Sequence, residues 1–187
     1  GHIIDIPLLK DMFYRLRGRK AIGIDGVTKA SYGRNLDENL NELLTKIRRG
    51  TYRPQPARLV EIPKEDGSTR PLAISCLEDK LVQSATNAIL TSIYEPLYLS
   101  VSYGFRPGKN CHQALRALSN HTYHHYDGSV VEIDLRKCFD SLPHDKVLEC
   151  LQRKISDKRF LKLVHQLMKT PIINGDKQVM SNVVGCP

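Results

Sequence analysis

Two carboxylates two residues apart, Glu132 and Asp134, lie in the run Val130-Val131-Glu132-Ile133-Asp134-Leu135, and a third acid, Asp140, follows directly after Phe139. In an extended segment side chains alternate, so Val131, Ile133 and Leu135 share one face while Glu132 and Asp134 share the other. Phosphoryl transfer with two Mg²⁺ ions needs carboxylate oxygens on rigid backbone, to bring an attacking hydroxyl and a leaving pyrophosphate into line. A strand end supplies that rigidity. The hexapeptide alone fits an edge strand with one solvated face better.

The apolar spacing indicates which elements surround this segment. Leu36, Leu40, Leu43, Leu44 and Ile47 recur at helical spacing, with Lys46, Arg48 and Arg49 in the last turn and Gly50 just beyond it. Residues 58–62 and 68–72, separated by Lys64-Glu65-Asp66-Gly67, predict a β-hairpin with an exposed tip, because Asp-Gly between extended runs favours a tight turn. Leu77, Leu81, Ala85, Ala88, Ile89 and Ile93 mark a long amphipathic helix that Pro96 ends, and Asn110 caps another carrying Ala114, Leu115 and Leu118. Residues 129–135 read as a strand. Ser141 is placed to cap a helix with Pro143 in its first turn and Val147, Leu148 and Leu151 on its apolar face. Phe160, Leu161, Val164, Leu167 and Met168 mark a further helix, and residues 170–173, Asn174-Gly175 and Val179-Met180 predict a second hairpin. Helices and hairpins alternate without a regular strand-helix-strand rhythm, so the fold class is α+β.

Charge is segregated along the 187 residues. Residues 1–70 hold 14 basic and 9 acidic side chains, 71–140 hold 6 and 7, and 141–187 hold 8 and 4, so the flanks stand at +5 and +4 around a centre of −1. Phosphate contacts need cations and a divalent metal needs carboxylates, so basic flanks around an acidic centre suit a nucleic-acid-binding metalloenzyme; uneven solvated faces give the same arithmetic. No apolar run reaches the roughly 18 residues of a membrane span and no signal-peptide order opens the chain, which predicts a cytoplasmic protein with no membrane partner. The five cysteines, Cys76, Cys111, Cys138, Cys150 and Cys186, form no C-x-x-C pair and read as reduced thiols. Gly1-His2 has the look of a tag scar and the chain stops after a strand-like stretch, so a fragment is expected.

Taken together, the motifs resemble those of reverse transcriptases of the group II intron maturase family. Gly23-Ile24-Asp25-Gly26-Val27-Thr28 is similar to that family's most N-terminal block. Ile62-Pro63-Lys64 through Gly67 to Arg70-Pro71-Leu72 resembles the next, and Leu77-Glu78-Asp79-Lys80-Leu81-Val82-Gln83 continues it. Ser102-Tyr103-Gly104-Phe105-Arg106-Pro107-Gly108, followed by Cys111-His112 and Ala114-Leu115, resembles the third block, and Glu132-Ile133-Asp134 through Phe139-Asp140 resembles polymerase motif A. The blocks run along nearly the whole chain in the family's order. Retron and CRISPR-associated reverse transcriptases share several of them.

The resemblance implies a right-hand polymerase: fingers from residues 1–80, a partial palm with motif A over 81–140, and a second part of the fingers over 141–187. It implies that Asp134 is the catalytic, Mg²⁺-binding aspartate with the carbonyl of Leu135 as a second metal ligand. Lys64 and Arg70 would grip the nucleotide triphosphate, as a point charge and a planar fork, or else be the solvated cations of an ordinary hairpin, and the amides of Arg136, Lys137, Cys138 and Phe139 would donate to the triphosphate. Phe139 would lie under the incoming sugar, or else be a core ring; Asp140 would join the site or merely cap a helix. Arg106 would contact template or support the site, or else be a purely structural turn residue. Arg15, Arg17, Arg19 and Lys20 would bind RNA phosphates or form a solvated helix face. The implied partners are intron and template RNA, a DNA primer, dNTP and a possible second copy of the chain, with two Mg²⁺ ions in the complete enzyme. The family's Tyr-x-Asp-Asp tetrapeptide is absent from these residues, so this piece is expected to bind RNA without polymerising. A maturase or RNA-binding scaffold that no longer polymerises is the alternative. His121, His124 and His125 lack a Cys or acidic neighbour at zinc spacing and read as a solvated cluster or an RNA contact.

Overall fold

The structure, a computed structural model, describes residues 3–18, 21–65, 67–174, 178–180 and 184–185. It is α+β and divides into two compact units, residues 1–89 with 137–187, and residues 90–136.

In the first unit α1 (Ile6–Arg15) starts at Asp5, whose carboxylate accepts from the Leu8 amide at 2.9 Å, and buries Leu9, Met12 and Phe13 against α3. A short α2 (Lys29–Gly33) leads into α3 (Leu36–Arg49), which buries Leu40, Leu43 and Leu44. Gly50 ends α3 at φ +70°, and the amides of Thr51 and Tyr52 turn back onto the Lys46 carbonyl. β1 (Ala57–Pro63) and β2 (Thr69–Ile74) form the expected antiparallel hairpin, and α4 (Leu77–Tyr94) follows it and buries Leu81, Val82, Ala85 and Ile89. α6 (His144–Gln152) packs on α7 (Lys158–Met168), whose apolar face is the second half of the core.

β3 (Ile172–Ile173) and β4 (Val179–Met180) form the second hairpin, with Gly175 of its predicted turn outside the described residues. β3 also pairs in parallel with β1, Ala57 opposite Ile172, which joins the two hairpins into one sheet of order β2-β1-β3-β4. Residues 21–28 are fastened to its base: the Arg58 guanidinium donates to the Ile22 carbonyl at 3.0 Å, and a Cβ on Gly23 would stand 2.6 Å from the Cys76 Cα.

The second unit holds the C-terminal end of α4, a 3₁₀ turn (Glu95–Leu97), a loop, and α5 (Cys111–His124), which Asn110 caps as expected. No residue of α5 is buried; its Leu115 and Leu118 stand 62% and 53% exposed.

Two expectations are corrected. Residues 129–135 do not form a strand, and Val131 and Ile133 are about four-fifths exposed. Strand propensity is realised only against a paired neighbour and a covered face, and among the described residues this run has neither. Nor does Ser141 cap a helix. It ends a 3₁₀ turn (Phe139–Ser141), its hydroxyl donates to the carbonyls of Lys137 and Cys138, and α6 begins after Pro143 instead.

Candidate functional site

The hairpin is an arm. Its described residues from Glu61 to Leu72 are all exposed, while its root is buried at Ala57 and Ile74. Ile62 pairs with Arg70, and the Lys64 amide donates to the Ser68 carbonyl at 2.8 Å. Directly paired residues share a face and the side-chain period is two, so Ile62, Lys64, Ser68 and Arg70 lie on one face, as do Val60 and Leu72. The two cations are diagonal neighbours there, about 7–8 Å apart at the backbone. Beneath them Ile62 and Leu72 are each 44% exposed. This apolar floor under two cations could have been read from the alternation once the register was known. Asp66 of the turn is outside the described residues; Gly67 takes φ +79°, which explains a glycine at this place.

The boundary between the two units falls just after Asp134, between Arg136 and Lys137. In the second unit Asp134 is exposed, with no hydrogen bond or ion pair among the described residues, and so are Leu135 and Arg136. The Asp134 carboxylate and Leu135 carbonyl are hard oxygen donors of the kind Mg²⁺ takes, so this pair fits the ion, and further oxygens must complete its shell. Among the described residues no group of three or more His, Cys, Asp or Glu side chains is gathered to hold a metal.

In the first unit the turn that follows is strained. Lys137 has φ +50°, uncommon for a residue with a side chain, and Cys138 follows at φ −52°, ψ −51°. A left-handed residue followed by a right-handed one turns successive amides to the same side, a concavity suited to anions. Among the described residues the Lys137 amide donates to no protein acceptor. Phe139 is 67% exposed, so it is not a core ring. Asp140 also sits in this exposed turn.

One residue that holds this turn was missed. Gly185, at φ +85°, leaves no room for a side chain: a Cβ would lie 2.6 Å from the Asp140 carbonyl oxygen and 2.8 Å from that of Phe139. Its amide donates to the Leu142 carbonyl at 2.9 Å and its carbonyl meets Nε2 of buried His144 at 2.6 Å. The glycine was visible in the sequence but its neighbour, forty-odd residues away, was not. Gly185→Ala is expected to lower unfolding free energy by about 1–3 kcal/mol through overpacking and the positive φ. Thermal unfolding checks it; an unchanged midpoint would show that the turn is not held from this side.

Arg106 is committed to its own loop. Its guanidinium donates to Glu95 Oε1 at 2.8 and 3.0 Å and to the carbonyls of Leu99 at 2.8 Å, Ser102 at 2.9 Å and Glu95 at 3.5 Å, and it lies over the Tyr98 ring. All five N–H donors are used and the side chain is 10% exposed, so the geometry favours the turn-supporting role over template contact. Arg15 pairs with Asp11 one helical turn back; Arg17 lines a small pocket of about 240 Å³ with Lys29 and Lys80; Arg19 and Lys20 lie outside the described residues.

Beneath the root of the hairpin sits a buried carboxylate. Asp79, in the first turn of α4, is 1% exposed; it accepts from the Tyr52 hydroxyl and, at 3.1 Å, from the Gln55 amide. Burial pushes its carboxyl up to about 6, against the two hydrogen bonds that pull it down. Burial and the adjacent Asp79 likewise push the Tyr52 hydroxyl well above its usual range.

Residues 62–187 match the family described as reverse transcriptase (RNA-dependent DNA polymerase). Across 98% of its length the chain is 31% identical to an uncharacterized 91 kDa protein in the cob intron of Schizosaccharomyces pombe, covering 23% of that protein. Across 87% of its length it is 32% identical to the group II intron-encoded protein LtrA of Lactococcus lactis, covering 28% of it. It is 31% identical, over 57% of its length, to nuclear intron maturase 1, mitochondrial, of Arabidopsis thaliana, covering 14%. The chain thus spans about a quarter of the length of the first two relatives.

Proposed function

The chain belongs to the reverse transcriptase (RNA-dependent DNA polymerase) family, with the group II intron reverse transcriptases and maturases among its relatives, and we propose that the complete protein copies RNA into DNA and binds its intron RNA as a maturase. The observation that carries this is the placing of Lys64 and Arg70 on one face of an exposed arm. A hairpin can swing toward a nucleotide and withdraw, and the two cations would offset charge gathering on the β- and γ-phosphates in the transition state.

In this reading residues 1–80 and 141–187 are fingers and 81–140 the start of the palm. The parallel pairing of β1 with β3 supports it, since it places residues 57–58 and 172–173 in one sheet. Asp134 and the Leu135 carbonyl would hold Mg²⁺, which supplies charge neutralisation of the reacting phosphates when bound. The amides of Arg136, Lys137, Cys138 and Phe139 would hold the triphosphate and Phe139 the sugar; the strained φ of Lys137 and the exposure of Phe139 support this. The exposed apolar faces of residues 130–135 and α5 would be covered by parts of the protein beyond these residues. Intron RNA, template, DNA primer and dNTP are the partners, and a cytoplasmic location is part of the same proposal. These 187 residues by themselves, without a Tyr-x-Asp-Asp, would bind RNA and not extend a primer.

The test is steady-state nucleotide incorporation by the complete protein. Arg70→Ala and Lys64→Ala are each expected to raise KM for dNTP or lower kcat/KM by about 10–100-fold, or 1.4–2.7 kcal/mol, with RNA affinity within about twofold of wild type. Unchanged kcat/KM in both variants would remove the arm from the nucleotide site.

A further inference from the structure

We propose that a second RNA-binding site, built from none of the residues assigned above to nucleotide, metal or RNA, lies in the cleft between the C-terminal end of α3 and the N-terminal half of α7, and that it takes the phosphodiester backbone of folded RNA. This rests on the RNA-binding reading just given and adds to it a place and a mode of recognition.

The cleft has a volume of about 1030 Å³, at the upper limit for a small-molecule pocket. Arg48 and Arg49 stand on one wall and Lys158, Arg159 and Lys162 on the other. All five are exposed, and among the described residues none forms an ion pair. Some cations elsewhere in the molecule do pair: Lys10 with Asp37, Lys46 with Glu78, Lys146 with Glu149. The one acid lining the cleft, Asp157, accepts from the Arg159 and Phe160 amides at 2.9 and 3.1 Å and so caps α7. Five positive charges thus face one negative charge already engaged by a helix end, and an extended polyanion is the matching occupant.

The shape narrows the choice. On α7, Lys158 and Lys162 are four residues apart and Gln166 four further, which makes a polar stripe about 12 Å long. A single phosphate would meet only part of it, whereas a nucleic-acid strand carries phosphates along its length. The aromatic residues that line the cleft are buried, Tyr52 at 4% and Phe160 at 7% exposed, and the Tyr52 hydroxyl is held by Asp79. Neither ring offers the open face that base stacking requires. The site therefore reads charge and backbone path and is indifferent to base sequence.

The experiment is fluorescence anisotropy of these 187 residues with a labelled RNA hairpin, titrated between about 50 and 200 mM salt. The cleft variants are R48Q/R49Q and R159Q/K162Q, and the control is R153Q/K154Q, which removes the same charge from exposed positions that do not line the cleft. Each cleft pair is expected to weaken binding by roughly tenfold at the lower salt and to flatten the slope of log affinity against log salt by about 1.5–2, for two phosphates lost. The control should leave the slope unaltered, and a hairpin of different sequence should bind equally well. If wild type binds but all three variants share its slope, the cleft is not the site. If wild type does not bind at all, the RNA-binding reading itself fails and this proposal with it. Displacement of the RNA by polyglutamate at equal charge concentration would also overturn it, by showing an acidic-protein site. Should a double variant prove unstable by circular dichroism, K158Q supplies the same readout with an expected flattening of about 1.

Discussion

Asp134→Asn in the complete protein is expected to reduce template-dependent DNA synthesis on the order of 10³-fold, about 4 kcal/mol of transition-state stabilisation, while melting temperature and RNA affinity stay close to wild type. The ground for this is what the side chain does not do. Asp134 is exposed and forms no hydrogen bond or ion pair among the described residues, so the fold does not depend on its charge, and surface substitutions of that kind change stability by less than about 0.5 kcal/mol. Asn keeps the shape and one oxygen but removes the negative charge that a hard divalent cation requires. A large loss of rate with an intact fold would therefore report chemistry. Glu132→Gln is the comparison, since Glu132 is equally exposed in the same segment and is assigned no metal. Single-nucleotide incorporation on an RNA template measures both. A rate for Asp134→Asn within about tenfold of wild type would sink the metal assignment, and so would an equal loss in Glu132→Gln.

The contrast between Asp134 and its own segment shows what one sequence reveals. α3 was legible because everything that makes it is local: leucines at helical spacing, cations in the last turn and Gly50 with φ +70°. The β1–β2 hairpin was legible for the same reason, through its Asp-Gly turn and flanking extended runs. The run 130–135 has equal strand propensity, yet a strand is a relation between two segments, and no described segment lies beside it. The joining of β1 to β3 rests on two residue pairs from distant parts of the chain, too short to leave a periodic signal. Site residues divide in the same way. Lys64, Arg70 and Asp134 stood out through the resemblance, and the register then added Ile62 and Leu72. Gly185 and Arg106 take their meaning from contacts that spacing does not encode: the turn Gly185 supports is more than forty residues away, and the sequence leaves Arg106 between template contact and a structural turn, whereas all five of its donors are engaged within its own loop.

Asp79 was hidden for a related reason, and it leads to a prediction about pH. Nothing in the spacing of Glu78-Asp79-Lys80 singles out one acid, but Asp79 turns inward and joins α4 to the segment between α3 and β1 through Tyr52 and Gln55. Its carboxyl is raised from an ordinary 3.8 to about 6 by burial. Between those values the folded protein binds more protons at this group than the unfolded chain does, so the stability it contributes falls as pH rises through the window. Across the whole window that loss amounts to about 3 kcal/mol. Other groups titrate over the same range, and the comparison with Asp79→Asn cancels them. The difference in unfolding free energy between wild type and Asp79→Asn is expected to change by about 2.4 kcal/mol between about pH 7 and pH 4, with wild type gaining at the acid end. Tyr52→Phe removes a hydrogen bond that holds the carboxyl down, so it should move the upper edge of the window above 6 and lower stability at pH 7 by about 1.5–3 kcal/mol. That loss is bounded, because once the carboxyl titrates above the ambient pH it takes up a proton instead of remaining a poorly solvated charge. Urea unfolding at four or five pH values for the three proteins measures all of this. Parallel curves for wild type and Asp79→Asn would mean that water reaches the carboxylate, and the link between α4 and the hairpin root would then be an ordinary surface contact.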